Sequence, residues 1–172
     1  SKSLTIADNG VGMSGEEMEA NLGTIARSGT ESFVADLKDE AAKDHSLIGR
    51  FGVGFYAAFM VADKVEVLSR KAGREGAAAW SSDGLGEYEI GPAEKAERGT
   101  VITLHLKTDA EEFLEDQRLR HIVKTYSDHI SIPIVLITPP EEDDAAPGSE
   151  TLNQASALWT RPKNEIEENQ YT

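Results

Sequence analysis

The sequence has no cysteine, and it contains no long hydrophobic run. The missing thiols exclude disulfides and thiolate chemistry, and they are compatible with the cytosol. No apolar stretch approaches the roughly eighteen residues that a membrane-spanning helix needs. Aromatic residues make up only 6% of the chain, but the hydrophobic fraction of 39% is ordinary for a globular protein. The sequence therefore predicts a soluble globular protein without a membrane partner.

Basic residues are also scarce. The chain has 17 lysines and arginines against 31 acids, a net charge of −14, and its sequence pI is about 4.6. Proteins that bind a nucleic-acid backbone concentrate lysine and arginine in a patch or stripe, which this sequence lacks. The charge therefore predicts no nucleic-acid partner and indicates mainly a well-solvated surface.

Alternating strand-like and helical patterns predict the fold class. Apolar and polar residues alternate, as in strands, in "SLTIA", "KVEVLSR", "AAAWSS", "GEYEI", "TVITLHLK" and "ISIPIVLIT". Ser14 stands three residues before Glu17, the spacing of a capping box that begins a helix. Helices are also predicted for "FYAAFMVA" and around Leu119, Ile122, Val123 and Tyr126. The grouping predicts an α+β two-layer sandwich, in which a mixed or antiparallel sheet carries helices on one face.

The composition changes sharply after Ile137. The stretch "PPEEDDAAPGSE" is rich in proline and acids and has no aliphatic residue larger than alanine, so it predicts a mobile acidic linker over residues 139–153. Residues 154–172 regain an aromatic and an isoleucine in "ALWTRPKNEI", which predicts the start of another domain. The opening "SKSLTI" is typical of the middle of a strand, so we expect the chain to be part of a longer protein.

A carboxylate followed by glycines, "ADNGVG", stands at the end of the first predicted strand. Glycine at such a point indicates a positive φ or a group that approaches the backbone closely. A calcium loop of the EF-hand type is disfavoured, because Gly10 and Gly12 occupy the third and fifth ligand positions counted from Asp8. We predict no metal site. A plain turn capped by Asp8 and a ligand-binding turn both remain open.

Two further motifs contain glycine. "GRFGVGF" lacks the order of the dinucleotide fingerprint and has no Walker lysine, but it opens onto a predicted helix, whose first amides attract phosphate. It fits either a phosphate-binding turn or a hinge. "ERGTVITL" places the hydroxyl of Thr100 at the mouth of a strand. There it could satisfy a buried polar partner, or it could belong to an ordinary turn.

Taken in order, these features resemble the ATP-binding fold shared by gyrase B, heat-shock chaperones, histidine kinases and MutL, the Bergerat-type fold. Within that group the sequence is most similar to the bacterial ninety-kilodalton heat-shock chaperones of the HtpG type. The similarity rests on "NLGTIARSGTESF", "LIGRFGVGFYAAFMVADKV", "RGTVITLHL", "YSDHISIPI" and "ALWTRPKNEI". It covers nearly the whole chain apart from the linker.

The resemblance implies an ATP site. Asp8 would accept a hydrogen bond from the adenine amino group, Thr100 would share a bridging water, and Gly12 would let the purine lie against the backbone. A lid from about Gly23 to Gly54 would close over the nucleotide. The other implied residues are Met13, Leu22 and Phe55 for the apolar pocket, Asn21 near the sugar and phosphates, Gly52, Val53 and Gly54 for the phosphates, and Arg27, where the family often has lysine, for a positive charge near the nucleotide.

The resemblance also implies a function. Residues 1–138 would be the nucleotide-binding domain of a cytoplasmic, homodimeric, ATP-dependent chaperone that takes part in the stress response. It would bind ATP with Mg²⁺, release ADP and act on unfolded client proteins.

In this family a glutamate activates the attacking water, and an asparagine helps to hold Mg²⁺. Both lie on a helix before the strand that opens this sequence, so no catalytic residue is predicted within it. We expect the parent protein to be an ATPase and this chain, without its first helix, to be inactive alone. The alternatives are a non-hydrolysing nucleotide sensor and a DNA-directed relative such as MutL or gyrase B, which the net charge disfavours.

Overall fold

A computed structural model describes residues 2–23, 54–138 and 147–154. The chain divides into two compact units, residues 1–111 and 112–172. The predicted lid lies outside the described residues except at Gly23 and Gly54, and so do residues 139–146 of the predicted linker and residues 155–172 of the predicted second domain. The predicted domain division therefore stays a prediction.

The described part of the first unit contains five strands and two short helices. Helix α1 covers Gly15–Leu22, and a 3₁₀ turn at Gly54–Ala57 leads directly into helix α2, Ala58–Val61. The strands are β1 (Ser3–Ala7), β2 (Ala62–Arg70), β3 (Ala77–Ser82), β4 (Tyr88–Ala93) and β5 (Gly99–Leu106).

The five strands form one sheet in the order β1-β5-β2-β3-β4. Every pairing in it is antiparallel, with β2 at the centre between β5 and β3. The turn "AGREG" joins β2 to β3, and its two glycines, Gly73 and Gly76, have φ of +72° and +78°. The sheet that the sequence predicted as mixed or antiparallel is thus antiparallel.

The first unit buries one face of the sheet under its helices. Alternation along β2 places Val65 and Val67 on that face, where they are 0% and 1% exposed. Met18 of α1 is fully buried, and Phe55 of the 3₁₀ turn packs edge-on against Trp80 of β3, with ring centroids 5.5 Å apart. The predicted α+β architecture with helices on one face is confirmed.

A 3₁₀ helix at Thr108–Leu114 includes the last residues of the first unit and the first residues of the second. The described part of the second unit also contains helix α3 (Asp116–Tyr126) and an antiparallel pair of strands, β6 (Val135–Thr138) and β7 (Gly148–Thr151). The sequence did not predict β7, which lies within the predicted linker. Beyond it, the buried Asn153 accepts a hydrogen bond from the Ile134 amide at 2.8 Å and donates to the carbonyls of Ile130 and Ile132 at 2.9 and 3.0 Å. The side chain of Asn153 therefore binds the backbone of residues 130–134, which connect α3 to β6.

Candidate functional site

Asp8 lies where β1 ends, against the first residues of β5. Its amide donates to the Thr100 carbonyl at 2.8 Å, and the Thr100 amide donates to the Asp8 carbonyl at 3.2 Å. The β1–β5 ladder therefore continues one pair beyond Ala7 and Val101. The register brings the carboxylate of Asp8 beside Thr100, as the sequence interpretation requires.

Among the described residues, hydrogen-bond donors reach one oxygen of the Asp8 carboxylate and not the other. Oδ1 accepts hydrogen bonds from the Gly10 amide at 2.8 Å and from the Thr100 amide at 3.2 Å. No group among the described residues donates to Oδ2, and none of their lysines or arginines forms an ion pair with Asp8. The side chain is exposed. Two backbone amides thus orient the carboxylate, while Oδ2 can accept a further hydrogen bond as far as the described residues are concerned.

Two glycines in this region are required by close backbone approaches. Gly12 has a φ of +66°, and a Cβ there would collide with the carbonyl oxygen of Arg70. Gly99 has a φ of +110°, and a Cβ there would collide with the carbonyl oxygen of Asp8. Residues other than glycine rarely adopt such φ values. The group that approaches Gly12 is thus the chain itself, so the glycine alone does not identify a ligand.

A buried pair of hydroxyls lies beneath the Asp8 loop. Ser69 Oγ is 2.8 Å from the Met13 amide, 3.2 Å from the Gly99 carbonyl and 3.0 Å from Thr100 Oγ1. Ser69 has one hydroxyl proton, so all three contacts are hydrogen bonds only if it donates to Gly99 and accepts from Met13 and Thr100. Thr100 Oγ1 then donates to Ser69 and keeps its lone pairs as acceptors.

Ser69 belongs to the site although the sequence interpretation did not name it. It is 0% exposed and occupies the inward position that follows Val65 and Val67 on β2. A serine in the apolar register of a central strand is the signal that could have identified it, because a buried hydroxyl needs a hydrogen-bond partner.

Helix α1 begins directly after Met13 with the predicted capping box. The Glu17 amide donates to the side chain of Ser14, and the Ser14 amide donates to the carboxylate of Glu17 at 2.9 Å. The ammonium group of Lys71 also pairs with that carboxylate. Burial acts to raise the pKa of Glu17, but the hydrogen bonds from Lys71 and Ser14 and the charge of Lys71 outweigh it, so the pKa is lowered. These contacts tie the start of α1 to the β2–β3 turn.

The far end of α1 meets a cluster of aromatic rings. Tyr56 donates a hydrogen bond to the Leu22 carbonyl at 3.2 Å, and Trp80 stacks against Tyr88 with ring centroids 6.0 Å apart. Phe55 lies against Trp80. The indole N–H of Trp80 is buried and has no hydrogen-bond partner among the described residues. Aromatic rings thus surround this end of α1, and the pocket role predicted for Leu22 and Phe55 stays a prediction.

The predicted site residues thus fall into two groups at opposite ends of α1. We call Asp8, Gly12, Met13, Ser69 and Thr100 the strand-end cluster, and Leu22, Phe55, Tyr56, Trp80 and Tyr88 the helix-end cluster. Asn21 is half-buried in the last turn of α1, and Gly54 begins the turn that carries Phe55. Eight residues of α-helix place the clusters about 12 Å apart along its axis. Arg27, Gly52 and Val53 lie outside the described residues.

Other surfaces of the described residues do not add to this site. A hollow of about 560 Å³ lies on the other face of the sheet, where Glu66, Leu68 and Val101 are among its lining residues. Trp80 of the helix-end cluster also lines it, but none of the residues predicted from the sequence does. In the described ranges no group of three or more histidines or acids is placed to hold a metal ion. Within those same ranges, no helix has the length and apolarity to cross a bilayer.

Comparison with known proteins finds similarity along almost the whole chain. Residues 1–109 match the family described as "Histidine kinase-, DNA gyrase B-, and HSP90-like ATPase". The chain is 55% identical over 171 residues to "Chaperone protein HtpG" of Roseobacter denitrificans, an alignment that covers 99% of this chain and 26% of that protein. Proteins of the same name from Bordetella avium and Paramagnetospirillum magneticum are 54% and 58% identical, over 99% and 98% of this chain and 28% and 26% of their own lengths. The chain therefore spans about a quarter of the length of the curated relatives that it matches.

Proposed function

The chain belongs to the family of histidine kinase-, DNA gyrase B- and HSP90-like ATPases, and from this premise we propose that it is the ATP-binding part of an ATP-dependent molecular chaperone. The family makes nucleotide binding the expected activity. The relatives named chaperone protein HtpG support the chaperone assignment. Hydrolysis, client binding and assembly are proposed for the whole protein, of which the chain spans only a part.

The observation that carries the proposal is the pair of acceptors in the strand-end cluster. Asp8 Oδ2 has no donor among the described residues, and Thr100 Oγ1 keeps acceptor lone pairs once it donates to Ser69. Two neighbouring acceptors select a ligand that presents N–H groups. The exocyclic amine of adenine is such a donor, and guanine has a carbonyl at the same position of the ring. In the proposed site, Asp8 accepts from the amine and Thr100 takes part through a bridging water.

The rest of the nucleotide would extend from this cluster. Met13, Leu22 and Phe55 would form the apolar wall of the site, and Asn21 would lie near the sugar and phosphates. The backbone amides of Gly52, Val53 and Gly54, together with the charge of Arg27, would hold the phosphates. Mg²⁺ bound with ATP would neutralise phosphate charge.

Beyond the site, we propose a homodimeric cytoplasmic protein that uses the ATP cycle to act on unfolded clients. The premise for each of these features is similarity to the HtpG proteins. Closure of the proposed lid can shift the protein between states only by the difference in ATP affinity of the open and closed forms.

Replacement of Asp8 by asparagine tests the adenine assignment. In Asp8→Asn the amide oxygen can still accept from Gly10 and Thr100, which preserves the loop, while an NH₂ group replaces the free acceptor Oδ2. Loss of a charge-assisted hydrogen bond costs about 1.5–3 kcal/mol, so we expect ATP to bind at least about tenfold more weakly. Isothermal titration of the chain with ATP and with GTP measures this effect, and the wild type should prefer ATP.

Asp83→Asn is the matched control. The side chain of Asp83 is also exposed and accepts a hydrogen bond from the amide two residues on, Leu85, at 2.9 Å. This variant should bind ATP as the wild type does. Equal affinity of the wild type and Asp8→Asn for ATP would contradict the adenine-binding role of Asp8. Equal affinity of the wild type for ATP and GTP would contradict the proposal that the acceptors of Asp8 and Thr100 select adenine.

A further inference from the structure

A polar hollow that is distinct from the strand-end cluster lies beside the β2–β3 turn. It has a volume of about 390 Å³ and differs from the strand-end cluster in charge, because four of its lining side chains are basic. We call it the basic hollow, and it is lined by Arg70, Lys71, Ala72, Gly73, Arg74, Glu75, Ala96 and Arg98.

The three arginines of the hollow are unneutralised within the described residues. Arg70 Nη1 donates to the carbonyls of Lys95 and Ala96 at 3.0 and 2.5 Å, and Arg98 Nε donates to the carbonyl of Asn9 at 3.2 Å. None of the three forms an ion pair with a described carboxylate, whereas Lys71 pairs with Glu17. The carbonyls therefore orient two guanidinium groups without cancelling their charge.

Unpaired arginines are unexpected on this chain. Acids outnumber bases by 31 to 17, so carboxylates are abundant, and elsewhere both Arg118 and Arg120 have acidic partners. An oriented guanidinium recognises a carboxylate or phosphate through paired N–H donors. The hollow therefore combines positive charge, fixed geometry and unused donors.

We propose that the basic hollow binds an acidic peptide segment of a partner protein. Arginine clusters are a known means of recognising acidic motifs. Small-molecule sites are mostly apolar, whereas the apolar residues in this lining are only alanines and glycine. The carboxylate of Glu75 also lines the hollow and would repel a compact polyphosphate, but a peptide can space its acids to contact the arginines and avoid Glu75.

This inference does not rest on the ATP assignment. The two regions are neighbours: the Ala72 amide donates to the Val11 carbonyl at 2.7 Å, and Arg98 donates to the Asn9 carbonyl, next to Asp8, at 3.2 Å. Arg74 lies on the exposed turn and makes no side-chain hydrogen bond or ion pair with the described residues. It is therefore the residue to alter, because its replacement leaves the loop of Asp8 intact.

Fluorescence anisotropy with the full chain tests the proposal. The probes are a short labelled Asp/Glu peptide, the same peptide with Asn and Gln in place of the acids, and inorganic tripolyphosphate as competitor. We expect the acidic peptide to bind and its neutral counterpart not to bind. Arg74→Glu should raise the Kd at least about tenfold and Arg74→Gln by less, since loss of a charged hydrogen bond costs about 1.5–3 kcal/mol.

Lys124→Glu provides the matched control, because it makes the same change of charge at an exposed position of the second unit. It should leave the Kd unchanged. If Lys124→Glu and Arg74→Glu weakened peptide binding equally, binding would depend only on the total charge of the chain, and the proposed site would be wrong. If tripolyphosphate bound more tightly than the peptide, an acidic peptide would not be the preferred ligand of the hollow. Unchanged ATP affinity in a folded Arg74→Glu would show that the two sites are separate.

Discussion

Ser69 is a single buried side chain that connects three separate parts of the candidate site. It contacts the amide of Met13 before α1, the carbonyl of Gly99 and the hydroxyl of Thr100. In Ser69→Ala these groups lose their common partner in a region with little water. A buried polar group left unsatisfied costs about 1–3 kcal/mol. We therefore expect Ser69→Ala to lower the free energy of unfolding by that amount, measured by urea denaturation.

Ser82→Ala separates this effect from the loss of a hydroxyl alone. Ser82 also makes two hydrogen bonds, to the Glu87 carbonyl at 2.6 Å and from the Gly84 amide at 3.0 Å, but these partners are exposed. Water can replace the serine there, so this variant should lose less stability. If Ser69→Ala and Ser82→Ala lost the same stability, the buried hydrogen bonds of Ser69 would contribute no more than those of an exposed serine.

The sequence interpretation named the outer residues of the strand-end cluster but not its interior. The family resemblance grouped Asp8 with Thr100, and the β1–β5 register places them side by side. Gly12 was predicted to make room for a purine, whereas the group that approaches it is the Arg70 carbonyl, which no local pattern reveals. Ser69 is 61 residues from Asp8 along the chain. Its part in the site depends on strand pairing, which motif spacing does not encode.

Helix α1 depends on charge at its first turn. The lowered pKa of Glu17 means that the ionised carboxylate is favoured in the folded state. Its contribution to stability is therefore present above the ordinary pKa of about 4.3 and is lost as the pH falls through the lower folded pKa. Because Lys71 and Glu17 are partly exposed, we expect about 1 kcal/mol or less. Urea denaturation of Glu17→Gln and the wild type should differ near neutral pH and converge in acid.

Glu16→Gln makes the same change one residue earlier. Glu16 is also in the first turn of α1, where an acid interacts favourably with the helix dipole, but it forms no ion pair with a described residue. It should show a smaller difference from the wild type at neutral pH. If the two variants lost stability equally at every pH, the contacts of Glu17 with Lys71 and Ser14 would not be the cause.

Elements were predictable where local pattern and tertiary contact agree. The capping box of Ser14 and Glu17 correctly predicted the start of α1, because the signal is contained in four residues. Strand β7 was missed, since "GSET" is polar and exposed, and its strand character comes from pairing with β6. The proline- and acid-rich composition that predicted a linker there indicates exposure to solvent, and a short strand can also be exposed.

The charge of the chain as a whole predicts its response to salt. Screening weakens the attractive surface ion pairs, but exposed pairs contribute at most about 1 kcal/mol each and often nothing. It also weakens repulsion within a chain of net charge −14, which destabilises the compact state. Since the excess of 14 acids is larger than the number of ion pairs among the described residues, which is eight, we expect the melting temperature to rise from about 0.01 M to about 1 M NaCl, measured by circular dichroism.

A variant with less negative charge shows whether repulsion is the cause. Glu94→Gln combined with Glu87→Gln removes two exposed acids that form no ion pair with described residues, and it changes the net charge from −14 to −12. Its melting temperature should be higher at low salt and less dependent on salt than that of the wild type. A wild-type melting temperature that fell with NaCl would mean that ion pairs such as Lys71–Glu17 outweigh the repulsion, and the acidic surface would then be a source of stability.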